Sequence, residues 1–160
     1  MPIPPWPGLP RPKAPLPDPH DFGADEKWAL DARCAWDHFG KLTLSQAWEL
    51  FSKNPLHYQE DFMFMGPVAF AYYFPVLDRH LREARPTDEH DDCEAWIIGC
   101  SVEDQLESGH RFGKGFFQEV ADLAAYMKGF VERFGLEDSA NVTRVWEKVE
   151  AAVERHRGGN

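Results

Sequence analysis

Residues 67–81 have the sequence PVAFAYYFPVLDRHL, and apolar side chains fall on nearly every side of this stretch. A helix that lacks a polar face is usually buried at the centre of a helical protein. Pro75 lies inside the stretch and should kink the helix, because its ring clashes with the preceding turn. We therefore predict a central helix here, around which the rest of the chain packs.

Three shorter helical patterns precede the central stretch. The first has apolar residues at helical spacing and ends at Gly40. The second begins with Thr43 and Gln46, a capping-box pattern in which each side chain binds the other residue's free amide. Asn54-Pro55 is typical of an N-cap followed by proline in the first turn, so it predicts a short third helix.

Three further helical patterns follow the central stretch. Thr87 is a suitable N-cap for a helix with residues 95–100 as its buried middle, in which Gly99 favours a close helix crossing. Residues 117–134 keep the helical period, and Ser139 caps a last helix. The chain is therefore predicted to be all-α, a single compact domain of about six helices.

The N-terminal segment has a different composition. Nine of the thirteen prolines fall between Pro2 and Pro19, and proline prevents both helix and central strand. We predict a proline-rich extended leader over residues 1–22, a helical domain over 23–157 and a disordered tail over 158–160. The leader is either a ligand for a proline-binding groove or, as we favour, a semi-rigid segment that docks on its own domain.

The charge of the chain disfavours some classes of partner. Its 27 Asp and Glu residues outnumber 17 Lys and Arg residues, which gives a net charge of −10. Nucleic acids and anionic membrane surfaces are bound through clustered basic residues, so neither is an expected partner. No apolar run is long enough to span a membrane. The three cysteines form no paired motif and favour reduced thiols in the cytoplasm.

An acidic run and an aromatic cluster are the candidate partner-binding features. The run can attract a basic protein partner or ligate a hard cation, but a solvated helix N-terminus is the simpler interpretation. The cluster forms core or, where it is exposed, a binding interface, because tyrosine is enriched in binding hot spots. The candidate partner-binding residues are Asp88, Glu89, Asp91, Asp92, Glu94, Tyr72 and Tyr73.

Two pairs of residues have the spacing of metal ligands. His57 and Glu60 are three residues apart, as are His80 and Glu83, which places each pair on one face of a helix. A dinuclear carboxylate site needs two Glu-x-x-His elements, and the one in this chain runs into a glycine. These four residues therefore support only an alternative, a metal-binding helical enzyme with an interhelical pocket, and no cofactor is predicted.

Residues 109–115, GHRFGKG, precede a helix and contain two basic side chains. Helix N-termini bind anions, but the segment lacks the Gly-Lys-Ser/Thr pattern and the preceding strand of a nucleotide-binding loop. We interpret it as a flexible connection between helices. The chain also lacks the Gly-x-Ser-x-Gly motif of a nucleophile elbow, and no catalytic residue is predicted.

The aromatic stretch resembles a pattern of small bacterial helical proteins. It consists of Asp61-Phe62-Met63-Phe64-Met65-Gly66-Pro67, then Ala69-Phe70, then Tyr72-Tyr73-Phe74-Pro75. In those proteins an aromatic residue, a P-x-A-F helix start and Y-Y-x-P follow one another. Several such families are similar to immunity proteins, which neutralise a toxin made by the same cell. The resemblance implies a protein-binding function and supplies no catalytic residue.

These observations lead to one preferred hypothesis and two alternatives. The preferred hypothesis is a non-enzymatic protein that binds a protein partner, more specifically an immunity-type inhibitor whose acidic surface covers the basic active site of a bacterial toxin. The alternatives are the metal-binding enzyme described above and a structural or assembly subunit of a larger complex.

Overall fold

The computed structural model describes residues 15–25, 29–83, 93–134 and 139–158, and all regular secondary structure in these ranges is helical. In chain order the α-helices are α1 (Leu30–Phe39), α2 (Leu44–Lys53), α3 (Pro55–Tyr58), α4 (Asp61–Phe64), α5 (Pro67–Glu83), α6 (Cys93–Glu107), α7 (Lys114–Gly129) and α8 (Ser139–Gly158). A 3-10 helix, Val131–Phe134, follows α7. Six of these helices have ten residues or more, while α3 and α4 are single turns. The predicted all-α fold of about six helices is confirmed, and none of the described helices has the length and apolar character needed to cross a membrane.

The end of α1 and the start of α2 lie where local sequence signals predict. The chain leaves α1 at Gly40. The Gln46 amide donates to Thr43 Oγ1 at 3.2 Å and the Thr43 amide donates to Gln46 Oε1 at 2.9 Å, so the capping box of α2 is formed. Pro55 takes the first position of α3 as predicted, although Asn54 makes no side-chain capping bond.

Helix α5 is largely buried, as the prediction of a helix without a polar face requires. Ten of its 17 residues are buried, including Phe70 and Phe74, and the helix continues through Pro75. It packs against α2 on one side and α7 on another. The Arg79 guanidinium lies 4.3 Å from the centre of the Trp48 ring of α2, a cation–π contact that joins the two helices.

Helices α6, α7 and α8 form the second half of the domain, in which α8 packs against both other helices. Gly99 lies where α6 crosses α8, and a Cβ atom there would be 2.7 Å from Val145 Cγ1 and 3.1 Å from Trp146 Nε1. Trp146 is fully buried, and its Nε1 donates to the Ala95 carbonyl at 3.2 Å. The close helix crossing predicted at Gly99 is therefore confirmed.

Phe22, which the sequence predicts to be part of the leader, belongs to the core. Its fully buried ring lies 5.3 Å from the Trp36 ring and 5.8 Å from the Tyr73 ring. The Gly66 amide donates to the Phe22 carbonyl at 2.9 Å, and any Cβ atom at Gly66 would collide with the Asp21 carbonyl oxygen. The glycine between α4 and α5 thus allows the N-terminal segment to lie directly against the backbone.

The domain is longer at both ends than the boundaries predicted from composition. Pro17 and Phe22 are buried, which shows that residues 15–22 pack against the helices. The N-terminal boundary of the domain therefore lies before residue 22. The last helix extends to Gly158, one residue into the predicted tail. The rest of the predicted leader, residues 1–14, and of the tail, residues 159–160, lies outside the described residues.

Candidate functional site

Most of the predicted acidic surface lies outside the described residues. This applies to Asp88, Glu89, Asp91 and Asp92. Glu94 lies in the first turn of α6, but its side chain is not in the described part of the chain. The role of the acidic run therefore stays a prediction.

The two predicted tyrosines have different environments. Tyr73 is fully buried, and its hydroxyl lies 2.9 Å from the Phe39 carbonyl and 2.8 Å from the Leu42 carbonyl, which share its single donor proton. Burial raises the pKa of this hydroxyl. Tyr73 therefore joins the end of α1 to α5, and its assignment as a partner-binding residue is wrong. Successive helical positions differ by about 100°, so Tyr72 faces another direction.

Tyr72 lines an open groove with a volume of about 510 Å³. One wall is the first half of α5, where Val68 is 54% exposed and Tyr72 is half-buried. The 109–113 loop contributes Arg111 and Phe112, and the N-terminal segment contributes Asp21. We call this cavity the Tyr72 groove.

The sequence explains why these side chains face one groove. Val68, Ala71 and Tyr72 are three and four residues apart and so share one face of α5. Phe112 is fixed by stacking on Phe116, with ring centres 4.6 Å apart and planes inclined by 29°. Gly109 has φ +83°, a left-handed conformation that lets the chain turn between α6 and the loop. The result is a mostly apolar depression with one Asp and one Arg at its rim.

The four predicted metal ligands do not form one site. His57 and Glu60 are exposed, whereas His80 is buried with its ring 5.1 Å from the Phe51 ring. Glu83 accepts from Arg79 Nε at 3.1 Å. Within the described ranges, no three His, Cys, Asp or Glu side chains are grouped so that they could hold a metal ion. The predicted interhelical metal pocket is therefore not formed by these residues.

A His–Asp pair that sequence reasoning missed lies between α1 and α4. His38 Nδ1 lies 2.6 Å from Asp61 Oδ2, and the Tyr58 ring contacts the imidazole edge-on with its centre 5.1 Å away. Burial raises the pKa of the Asp61 carboxyl, an effect opposed by its hydrogen bond to His38. No hydroxyl or thiol of the described residues bonds to His38 Nε2, so the nucleophile that a His–Asp pair activates in hydrolases is not seen there. We interpret the pair as a polar link between helices.

Comparisons with known proteins do not identify a relative. No family model, no curated protein and no solved structure matches this chain. The geometry of the Tyr72 groove and the charge of the chain are therefore the observations from which function is argued.

Proposed function

We propose that this protein is a non-enzymatic protein that binds another protein, and that the Tyr72 groove holds an apolar side chain of the partner. The supporting observation is an open cavity in which Tyr72 is half-buried and Val68 is 54% exposed. Covering apolar surface that water would otherwise contact is favourable, at roughly 25 cal/mol per Å². Tyrosines in such partly formed pockets are typical binding hot spots.

The charge of the chain favours a basic partner. A net charge of −10 attracts basic proteins over long distances and raises the rate of association. The groove itself has one carboxylate, Asp21, and one guanidinium, Arg111, at its rim, so charge would steer the partner while apolar contact holds it. A cytoplasmic location, which the unpaired cysteines favour, belongs to the same proposal.

The more specific form of the proposal is an immunity-type inhibitor of a bacterial toxin. It is supported by the resemblance of residues 61–75 to families similar to immunity proteins. Most of this stretch forms core, but Pro67 and Tyr72 line the groove. In this form the acidic run covers a basic active site of the toxin, and the groove anchors a neighbouring apolar side chain.

Copurification from the native host with matched variants tests the binding proposal. Val68→Glu places a carboxylate in the groove, and Leu30→Glu places one at a leucine of α1 that is 69% exposed and does not line the groove. Circular dichroism first checks that both variants are folded. We expect wild type and Leu30→Glu to retain one stoichiometric basic protein, identified by mass spectrometry, and Val68→Glu to lose it.

Affinity measurements with the purified partner then test the role of the groove and the immunity-type function separately. Tyr72→Ala should weaken the affinity about thirtyfold, the loss typical of a hot-spot residue. A partner retained equally by Val68→Glu, or one that is acidic, would overturn the proposal. A partner that arrests growth when produced alone, and is neutralised on binding, supports the immunity-type form. A partner that does not arrest growth would overturn the immunity-type form, while the proposal of a protein-binding function would still stand.

A further inference from the structure

A second cavity shares Phe112 with the Tyr72 groove. It has a volume of about 500 Å³ and lies between the start of α7 and the last turn of α8. The lining residues are Phe112, Lys114, Phe117, Gln118, His156 and Arg157. We call it the Lys114 cavity, and its size is within the range typical of small-molecule sites.

The charge of the Lys114 cavity is opposite to that of the chain. Two lining residues, Lys114 and Arg157, are cationic and none is a carboxylate, although the chain carries a net charge of −10. Lys114 has no hydrogen-bond or ion-pair partner within the part of the chain that the structure describes. Arg157 donates to Gln118 Oε1 at 2.8 Å, and its nearest carboxylate, on Glu154, is 3.9 Å away. Both side chains are exposed, so the cavity offers two accessible cations, of which only Arg157 has a carboxylate within 4 Å.

The remaining wall of the Lys114 cavity is flat and aromatic. The His156 ring stacks on the Phe117 ring, with centres 5.3 Å apart and planes inclined by 18°. His156 Nε2 lies 2.6 Å from the Leu106 carbonyl, which can only accept, so this nitrogen donates and the ring is held in place. A fixed pair of stacked rings suits a flat apolar group.

We propose that the Lys114 cavity binds a small organic anion, a carboxylate or a phosphate joined to a flat apolar group. Lys114 and Arg157 bind the anionic oxygens from two different helices, and Arg groups in particular match the geometry of carboxylate and phosphate. The apolar part lies against the half-buried Phe112, from which it displaces water, beside the stacked rings of Phe117 and His156. The two cavities share Phe112, but their tests use different variants and different ligands, so either proposal can fail without the other.

A purely structural role would explain only part of the arrangement. Basic side chains in the last turn of a helix interact favourably with its dipole, which accounts for His156 and Arg157 at the end of α8. It does not account for Lys114, which is at the opposite end of its helix, or for the cavity between them. The test must therefore separate ligand binding from stability.

Calorimetric titration of the full chain tests the proposal with simple probes. Phenyl phosphate and benzoate carry both required groups, inorganic phosphate lacks the ring, and benzylammonium reverses the charge. We expect saturable binding of phenyl phosphate, benzoate or both, with inorganic phosphate weaker and benzylammonium absent. The tighter of the first two identifies the anion class.

Variants that remove one positive charge test whether the anion binds in the Lys114 cavity. Lys114→Gln and Arg157→Gln should each weaken binding about tenfold, because each removes a charge-assisted hydrogen bond. Arg155→Gln is the matched control, since Arg155 is also in the last turn of α8 but pairs with Glu107 outside the cavity. It should leave the affinity unchanged within about twofold, while thermal melting verifies that all three variants are folded. Equal effects of the three variants, equal binding of benzylammonium, or no saturable binding of either aromatic anion would overturn the proposal.

Discussion

Replacing Gly99 with alanine tests how closely α6 packs against α8. The added Cβ atom would lie 2.7 Å from Val145 Cγ1 and 3.1 Å from Trp146 Nε1, so at least one side chain must move. Val145 is β-branched and strongly restricted in rotamer, and Trp146 is held by its bond to the Ala95 carbonyl. Overpacking costs about 1–3 kcal/mol, while alanine recovers about 1 kcal/mol of helix propensity. We expect the free energy of unfolding to fall by about 1 kcal/mol.

Urea unfolding followed by circular dichroism measures this change, and two further variants make the result interpretable. Gly115→Ala in α7 is the control, because a Cβ atom there has nothing within 4 Å, and it should stabilise by up to about 1 kcal/mol. Val145→Ala removes the colliding methyl group, so adding Gly99→Ala to it should be neutral or stabilising. The reasoning is refuted if Gly99→Ala stabilises wild type as much as Gly115→Ala does.

Three other changes test polar contacts in the core. Tyr73→Phe removes the hydroxyl that binds the carbonyls near the end of α1 and should lower the free energy of unfolding by about 1–3 kcal/mol. Urea unfolding measures this change, and an unchanged midpoint would contradict the role of the hydroxyl. Gln105→Leu should lower the free energy of unfolding by a similar amount, because the two N–H groups of the Gln105 amide serve three backbone carbonyls around α4 that lie within hydrogen-bond distance. A neutral effect would show that these bonds do not stabilise the fold. The Asp61 carboxyl has a pKa raised by burial above 3.8, so the folded protein holds this proton more tightly than the unfolded chain does. Its contribution to stability is therefore complete below about pH 4 and is lost as the pH rises through the folded-state pKa. Asp61→Asn should flatten that part of the pH–stability profile, and a profile parallel to that of wild type would count against the raised pKa.

The helix ends that could be predicted from the sequence are those fixed by local signals. Thr43 and Gln46 are three residues apart, and the capping box needs no other part of the chain. Ser139, the predicted N-cap of the last helix, is the first residue of α8, and the residues just before it lie outside the described part of the chain. The buried stripe of α8 recurs at helical spacing. Contacts between distant residues gave no such signal. His38 and Asp61 are 23 positions apart and pair only because α1 packs on α4.

The candidate site was only partly predictable, for a related reason. An all-apolar stretch has no polar face to indicate its orientation, so Tyr72 and Tyr73 could not be told apart before the packing of α5 was known. The other walls of the Tyr72 groove come from Pro15 and Asp21 and from the 109–113 loop. The sequence predicts an extended leader for the first of these segments and a flexible connection for the second. Their arrangement against α5 depends on the tertiary fold.

The burial of Phe22 also affects the order in which the chain can fold during synthesis. Phe22 leaves the ribosome long before Tyr73, whose ring it contacts, and before Gly66, whose amide binds its carbonyl. Until α5 has been made, this aromatic ring has no complete site to occupy and is open to chaperones or to other nascent chains. The N-terminal segment therefore closes over the domain only after the central helix exists. A shortened form that starts after Phe22 would lack this closing step, whereas a fusion placed before residue 15 would keep it.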